Sequence, residues 1–143
     1  LPICSITWPS DVCVPVSRLA EAVLAARSDA DGEGIRALIA GHVGDGNFHC
    51  VWLHDPNDPA ETAAVARLSA RLVERAIAVG GTSTGEHGVG LGKRAWLERE
   101  HGGAAVAVMR TLKAALDPLG LLNPGKVLPA VAGRPEADPS SFS

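Results

Sequence analysis

An Asp-Gly pair, Asp45-Gly46, separates two short apolar runs and constrains the fold more than any other feature of the sequence. The runs occupy residues 35–42 and 47–54. Asp-Gly between strand-like runs is the strongest local signal for a β-hairpin, and it favours a two-residue type I′ turn. The sequence therefore predicts two adjacent antiparallel strands.

The register of this hairpin would bring His42 and His49 together. Counting outward from a two-residue loop places them directly opposite each other, on one face of the sheet, with Cβ atoms about 4.5–5.5 Å apart. Two imidazoles so placed can bind one metal ion at about 2.0–2.1 Å from each nitrogen. They can equally stack or hydrogen-bond without an ion, and a slip of one residue would send the rings to opposite faces. The hairpin alone leaves a metal site and a plain histidine pair both open.

A glycine-rich segment, TSTGEHGVG at residues 82–90, carries a second candidate cluster. Its glycines permit tight turns and the close approach of a ligand on both sides of Glu86-His87. Glu86 offers a hard oxygen ligand, and His87 a nitrogen that can accept or donate a proton. Two histidines and one carboxylate leave coordination positions open, which is typical of a catalytic metal site. The alternative interpretation is a solvated loop with a surface Glu-His pair.

The segments before residue 82 predict one further strand and two helices. Residues 5–15 are strand-like, and Ser17 is the expected N-cap of a helix that ends in the polar loop SDADGEG, residues 28–34. Asp58 as the cap, Pro59 at the first helical position and Glu61 completing a capping-box-like pattern indicate the start of a second helix with an apolar stripe. That stripe stops at a Gly-Gly pair.

Two more helices are expected in the last third, over residues 93–100 and 103–116. The inward face of the second would carry Val106, Met109, Leu112 and Leu116. Few strands, mostly adjacent, with helices between them predict an α+β fold in which helices pack on one face of an antiparallel sheet. We expect one domain over residues 1–129, followed by a flexible tail over residues 130–143 that is rich in proline and serine.

Composition excludes several classes of function. A net charge of −3 with no basic stripe argues against a nucleic-acid partner. No apolar run reaches the length that spans a bilayer. Cys4, Cys13 and Cys50 have no CxxC spacing and favour a reducing, cytoplasmic compartment, with peripheral attachment to the inner membrane also considered. Because the sequence opens without Met in strand-like residues, we expect a piece of a longer chain.

Three motifs in this order, GHVGDGNFH, GEHGVGLGK and LDPLGLLNPGKVLP, resemble the C-terminal region of FAD-linked oxidases. More closely, they are similar to the D-lactate, glycolate and D-2-hydroxyglutarate dehydrogenase group. The resemblance runs from about Asp11 to Pro129. It implies an FAD cofactor held by an N-terminal domain that this sequence lacks, so the chain alone would not turn over substrate. Apolar surface left by that domain would favour self-association.

The resemblance assigns roles to individual residues. His42, His49 and Glu86 match the ligands of a divalent metal such as zinc or manganese. His87 matches the base that takes the proton from the substrate hydroxyl, and Asn47 matches an asparagine close to substrate and flavin. The implied reaction is oxidation of a small D-2-hydroxy acid to the 2-oxo acid, with hydride transfer to the flavin and an electron acceptor left unspecified.

Two further points follow from the resemblance. Asn123 and Lys126, in the NPGK motif, match a terminal segment that returns toward the flavin domain. Before Asp11, relatives often carry a basic residue that can meet a second substrate carboxylate, whereas this chain has Trp8-Pro9-Ser10. A monocarboxylate such as lactate or glycolate is therefore favoured over 2-hydroxyglutarate. The alternatives are a non-catalytic metal-binding or interaction module on the same fold, and an oxidase or non-redox enzyme.

Overall fold

The computed structural model describes residues 6–130, so the predicted flexible tail at residues 130–143 lies almost wholly outside it. The described chain divides into two units, one ending at His87 and the other beginning at Gly88. Among the described residues, no helix combines the length and the apolar character that crossing a bilayer requires.

The first unit is built on a three-stranded antiparallel sheet. Its strands are β1 (Ile6–Cys13), β2 (Arg36–His42) and β3 (Asn47–His54), in the order β1-β3-β2. The bounds of β3 are those predicted. Burial alternates along β3, because successive side chains of a strand point to opposite faces.

Two helices, α1 (Leu19–Glu33) and α2 (Pro59–Ala78), cover one face of this sheet. Four side chains on that face are fully buried: Val12, Phe48, Cys50 and Trp52. Ser69 of α2 donates a hydrogen bond to Ser10 of β1 on the same face. The predicted α+β class, with helices packed on one face of an antiparallel sheet, is confirmed. The opposite face carries Asp11 of β1 and His49 of β3, which are paired across the sheet.

Helix α1 differs from its prediction at both ends. A short 3-10 turn, Val16–Arg18, precedes it, so Ser17 lies within that turn and does not cap the helix. The helix then continues through the segment expected to be a loop and ends at Gly34, which has a φ of 69°. Ion pairs to α2 hold this last part in place: Glu33 binds Arg67 and Arg71, and Asp29 binds Arg75. Tertiary contacts here override the weak helix propensity of the segment.

Helix α2 begins as the sequence predicted. The Asp58 carboxylate accepts hydrogen bonds from the backbone N–H groups of Ala60 and Glu61, and Pro59 occupies the first helical position. Glu61 turns back from the helix, but its partner is the N–H of Asp55 rather than that of the cap residue.

The second unit contains a 3-10 turn, Arg94–Trp96, and helix α3 (Leu97–Leu116). Gly102 interrupts α3 with φ 80° and ψ 156°, close to the predicted boundary between two helices. Of the residues predicted to point inward, Val106 is buried, whereas Leu112 and Leu116 are 57% and 80% exposed, so the prediction is wrong for these two leucines. With Val108 they form an apolar stripe at helical spacing that the described residues leave exposed.

Candidate active site

The hairpin has a longer loop than predicted. His42 pairs with Asn47 and Ala40 with His49, so the loop contains the four residues 43–46. The carbonyl of His42 accepts the N–H of Asp45 at 2.9 Å, and Gly46 follows with a φ of 75°. Four-residue loops built around a turn of this kind are a common alternative to the two-residue loop.

The histidines still share one face of the sheet, because the register differs from the predicted one by two positions and side chains alternate with a period of two. They are diagonal neighbours rather than directly opposed residues. Their rings lie 5.7 Å apart, edge to face. The predicted register is therefore wrong, whereas the predicted proximity of His42 and His49 is observed.

Glu86 lies between the two histidines. Its Oε1 atom is 3.4 Å from Nε2 of His42 and 3.2 Å from Nε2 of His49. Ligand bonds of about 2.0–2.1 Å at tetrahedral angles put neighbouring donor atoms about 3.3 Å apart, so these separations suit three ligands of one ion. Without an ion, the same contacts are those of histidine–carboxylate ion pairs.

A second set of potential ligands, Asp11, His49 and His87, overlaps the first. The Asp11 carboxylate is a poorer ligand because it already accepts backbone hydrogen bonds and is almost fully buried. Glu86, in contrast, is half exposed and presents Oε1 to both histidines. The set His42, His49 and Glu86 is therefore the better candidate for a metal.

His87 lies beside these three residues. Its ring stacks on that of His49, with centroids 5.0 Å apart and planes 15° from parallel. Nδ1 of His87 is 3.7 Å from Oδ1 of Asp11, and the side chain is half exposed. His87 is thus adjacent to the candidate metal ligands while remaining open to a small molecule.

Asn47 lies against the backbone of the glycine-rich loop. It is buried, and its Oδ1 atom has no hydrogen-bond partner among the described residues. A Cβ atom placed on Gly85 would lie 2.0 Å from that oxygen, so only glycine permits this approach. The amide of Asn47 is therefore packed against Gly85, next to the loop that carries Glu86 and His87.

The two residues of the NPGK motif belong to the second unit. Asn123 has a φ of 47°, and its carbonyl accepts the N–H of Lys126 at 3.2 Å. Both residues line a cavity of about 310 Å³ within that unit, together with Lys113 and the apolar side chains of helix α3 and the terminal segment. The described structure brings the five residues of the hairpin and the glycine-rich loop together, and it shows Asn123 and Lys126 as neighbours of each other.

Asp11 was not recognised as a site residue from the sequence. It is 2% exposed, and Oδ2 accepts the N–H groups of Gly85, Glu86 and His87 at 2.7, 2.8 and 3.1 Å. The hydroxyl of Thr84 lies 3.4 Å from both of its carboxylate oxygens. The local sequence, a strand with one acidic residue, carries no signal for this contact.

Comparison with known proteins supports the resemblance drawn from the three motifs. The family model described as FAD linked oxidases, C-terminal domain, matches residues 5–127. A probable mitochondrial D-lactate dehydrogenase from Danio rerio is 54% identical over 121 residues, covering 85% of this chain and 24% of the relative. A glycolate oxidase subunit GlcD from Bacillus subtilis is 41% identical over 117 residues, covering 82% of this chain and 25% of the relative. The chain thus spans about a quarter of the length of these relatives.

A solved structure shares the fold. The 4-ethylphenol oxidase from Gulosibacter chungangensis, in its isoeugenol complex, superposes with a TM-score of 0.63 over 87% of this chain and 24% of its own, at 20% identity. At this identity the match bears on the fold alone, and it agrees with the α+β class.

The cytoplasmic compartment predicted from the cysteines is corrected by the relatives. Similar proteins from Danio rerio, Arabidopsis thaliana, Kluyveromyces lactis and Saccharomyces cerevisiae are all named as mitochondrial. Cys13 and Cys50 are free thiols in the structure. The absence of a pairing pattern indicates only that no disulfide is needed, and this does not distinguish the cytoplasm from another reducing compartment.

Proposed function

The chain belongs to the FAD linked oxidases, C-terminal domain family, and from that premise we propose that it forms the substrate site of a flavin-dependent dehydrogenase for D-2-hydroxy acids. The substrate class is a small hydroxy acid of the D-lactate or glycolate type, oxidised to the 2-oxo acid. The observation that carries the proposal is the approach of Glu86 Oε1 to Nε2 of both His42 and His49.

These three residues would hold a divalent cation such as zinc or manganese. The donor set suits it, since imidazole nitrogens and a carboxylate oxygen are ordinary ligands of both metals. Within residues 6–130 this set offers three protein ligands, which would leave room for substrate oxygens. When bound, such an ion supplies Lewis acidity that favours loss of the proton from the 2-hydroxyl.

His87 would act as the base for that hydroxyl proton. Its ring stacks on that of His49, so it would lie next to the oxygens of a substrate bound at the three ligands. Geometry has first importance for a general base, and the half-exposed imidazole leaves space for the hydroxyl. Asn47, buried against Gly85, would support the part of the glycine-rich loop that lies close to substrate and flavin.

FAD would be supplied by an N-terminal domain outside this sequence, and it provides the acceptor for the hydride from C2. Asn123 and Lys126 would contribute polar groups toward that domain from the second unit. The chain by itself would then bind metal and substrate without completing a turnover.

The surroundings of the site favour a monocarboxylate. Pro9 and Val51 are paired across the sheet, next to Asp11 and His49 and on the same face. Neither residue can neutralise a second carboxylate, and burying an unpaired charge is costly. A substrate with an uncharged side chain therefore suits this surface better than 2-hydroxyglutarate does.

The test is metal content and turnover of the full-length flavin-loaded protein. We expect one Zn²⁺ or Mn²⁺ per chain in the wild type and none in His49→Ala or Glu86→Ala, with D-lactate or glycolate oxidation lost in both variants. His101→Ala, a histidine of the second unit outside both candidate ligand sets, is the matched control and should retain metal and turnover. A metal-free protein with full activity would contradict the proposal.

The role of His87 is tested separately with His87→Gln. This variant should keep its metal, because His87 is outside the three-ligand set, while turnover of D-lactate falls by about 10²–10⁴-fold, the usual contribution of a general base. Unchanged turnover in His87→Gln, with metal still bound, would assign the base to another residue.

A further inference from the structure

The Asp11 carboxylate contacts the backbone of the glycine-rich loop that carries Glu86 and His87. Residues 85–87 belong to no helix or strand. Their three consecutive N–H groups all point to Oδ2 of Asp11. Three successive N–H groups form a concave site for an anion, and here the anion is a side chain of the same protein.

The location of Asp11 relates this loop to the sheet. Asp11 is paired with His49 across β1 and β3, and directly paired residues point to the same face. The base of the loop is attached to the same strand, because Cys13 and Thr82 exchange two backbone hydrogen bonds at 2.8 and 3.3 Å. The Cys13–Thr82 hydrogen bonds therefore attach the start of the loop to β1. The Asp11 carboxylate holds the loop backbone at Glu86 and His87.

Packing alone does not explain a charged residue here. Asp11 is 2% exposed, and burial of a carboxylate is costly unless hydrogen bonds compensate it. The compensation comes from the N–H groups of the loop and from the hydroxyl of Thr84. A buried apolar residue would avoid that cost, but it would leave three N–H groups of the loop without an acceptor.

We propose that Asp11 is the positioning residue of this site, acting through the backbone of residues 85–87 to set Glu86 Oε1 against the histidines and His87 beside them. Its effect on metal binding rests on the proposed function. Its effect on the conformation of the loop is independent of the proposed function. Partners that orient metal ligands from outside the coordination shell typically change metal affinity by about 10–100-fold when removed.

The experiment uses full-length flavin-loaded protein and Zn²⁺ as the probe, with affinity measured by competition against a chelator. Asp11→Ala should bind Zn²⁺ about 10–100-fold more weakly than the wild type. Asp11→Asn keeps one acceptor oxygen and should recover part of the loss. Asp58→Ala is the matched control, because Asp58 also accepts successive backbone N–H groups but does so at the start of α2. This control should lower the thermal midpoint and leave Zn²⁺ affinity unchanged.

Amide hydrogen exchange provides a second measurement that needs no metal. The amides of Gly85, Glu86 and His87 should exchange slowly in the wild type and at least ten times faster in Asp11→Ala, because a hydrogen-bonded amide must open before it exchanges. In Asp58→Ala the same amides should keep their protection.

The outcomes separate the two ideas. Equal Zn²⁺ affinity in Asp11→Ala and the wild type would overturn the positioning role and leave the proposed function standing. A wild type that binds no Zn²⁺ would contradict the metal site of the proposed function. The positioning role of Asp11 would then be tested by amide hydrogen exchange alone. Amides at residues 85–87 that exchange equally fast with and without Asp11 would overturn the inference in either case.

Discussion

Asp11 in the first unit and Asp117 in the second each hold irregular backbone through consecutive N–H groups, but they do so over very different lengths of chain. Asp117 accepts the N–H groups of Leu121 and Leu122, four and five residues ahead. Asp11 accepts three such groups from residues 74 to 76 positions away. The short-range contact shapes one turn, whereas the long-range contact joins a strand to a loop and so can build a site between them.

The described contacts of the two carboxylates include different kinds of group. Lys113 forms an ion pair with Asp117, one helical turn away. This hydrogen bond is the main reason that the pKa of Asp117 lies below its ordinary value, with the N–H groups of Leu122 and Leu121 adding to the effect against the opposing effect of burial. The contacts that surround Asp11 include backbone N–H groups, a hydroxyl and an imidazole.

The largest expected effect on stability is that of Asp11→Ala. Three N–H groups would lose a buried acceptor, so the free energy of unfolding of the first unit should fall by about 3–5 kcal/mol. Urea denaturation followed by tryptophan fluorescence, from Trp52 in the core, measures it. A loss below about 1 kcal/mol would mean that the loop finds other acceptors.

Gly85→Ala perturbs the same loop at its contact with Asn47. The added Cβ would meet Oδ1 of Asn47 at 2.0 Å, and overpacking of this kind costs about 1–3 kcal/mol. The loop should shift, so Zn²⁺ affinity should fall as well. Gly32→Ala, within α1, is the control. Nothing lies within 4 Å of a Cβ added to Gly32, so this variant should be neutral or slightly stabilising.

Asp58→Ala removes the N-cap of α2 and should cost about 1 kcal/mol, because the N–H groups of Ala60 and Glu61 lose a local acceptor that water can replace. Thermal unfolding in comparison with Asp11→Ala measures the difference between a local and a long-range carboxylate. Equal losses of unfolding free energy in Asp58→Ala and Asp11→Ala would mean that the long-range carboxylate stabilises the fold no more than the local one.

The smallest expected effect is the pH dependence that Asp117 gives to the second unit. Because its pKa is lowered in the folded state, its stabilising effect is present above the unfolded value of about 3.9 and is lost as the pH falls through the folded value. The difference in free energy of unfolding between wild type and Asp117→Asn should therefore shrink as the pH falls from 5 to 2. Denaturant unfolding at several pH values in that range measures it, and Asp31→Asn, at an exposed position, is the control. A difference that stays constant with pH would assign the stabilisation to something other than the charge.

The local parts of the fold could be predicted from the sequence. Strand β3 and the Asp58 cap of α2 depend on alternation and on residues next to each other, and both are observed at the predicted positions. The end of α1 could not be predicted, because Asp29 and Glu33 are stabilised there by arginines of α2 that lie 34 to 46 residues further along the chain.

The hairpin shows where local reasoning fails within the site. The Asp-Gly pair indicated a turn correctly, but the loop length depends on a strand outside the hairpin. The N–H of Val14 donates to the carbonyl of Gly46 at 3.0 Å, and a Cβ on Gly46 would lie 2.0 Å from the carbonyl oxygen of Val14. The proximity of His42 and His49 was predictable because a register shift of two positions leaves both side chains on the same face of the sheet. The contribution of Asp11 was not, since it appears only after β1 has paired with β3.

The span between Asp11 and the loop has a consequence for the order of folding. Closing a flexible chain segment carries an entropy cost that grows with the logarithm of its length, so contacts about 75 residues apart form late unless other contacts shorten the path. The pairing of β1 with β3 provides such a shortening, because it places Asp11 beside His49 before the loop closes. A chain emerging from the ribosome would complete its histidine hairpin first and would join Glu86 and His87 to it last.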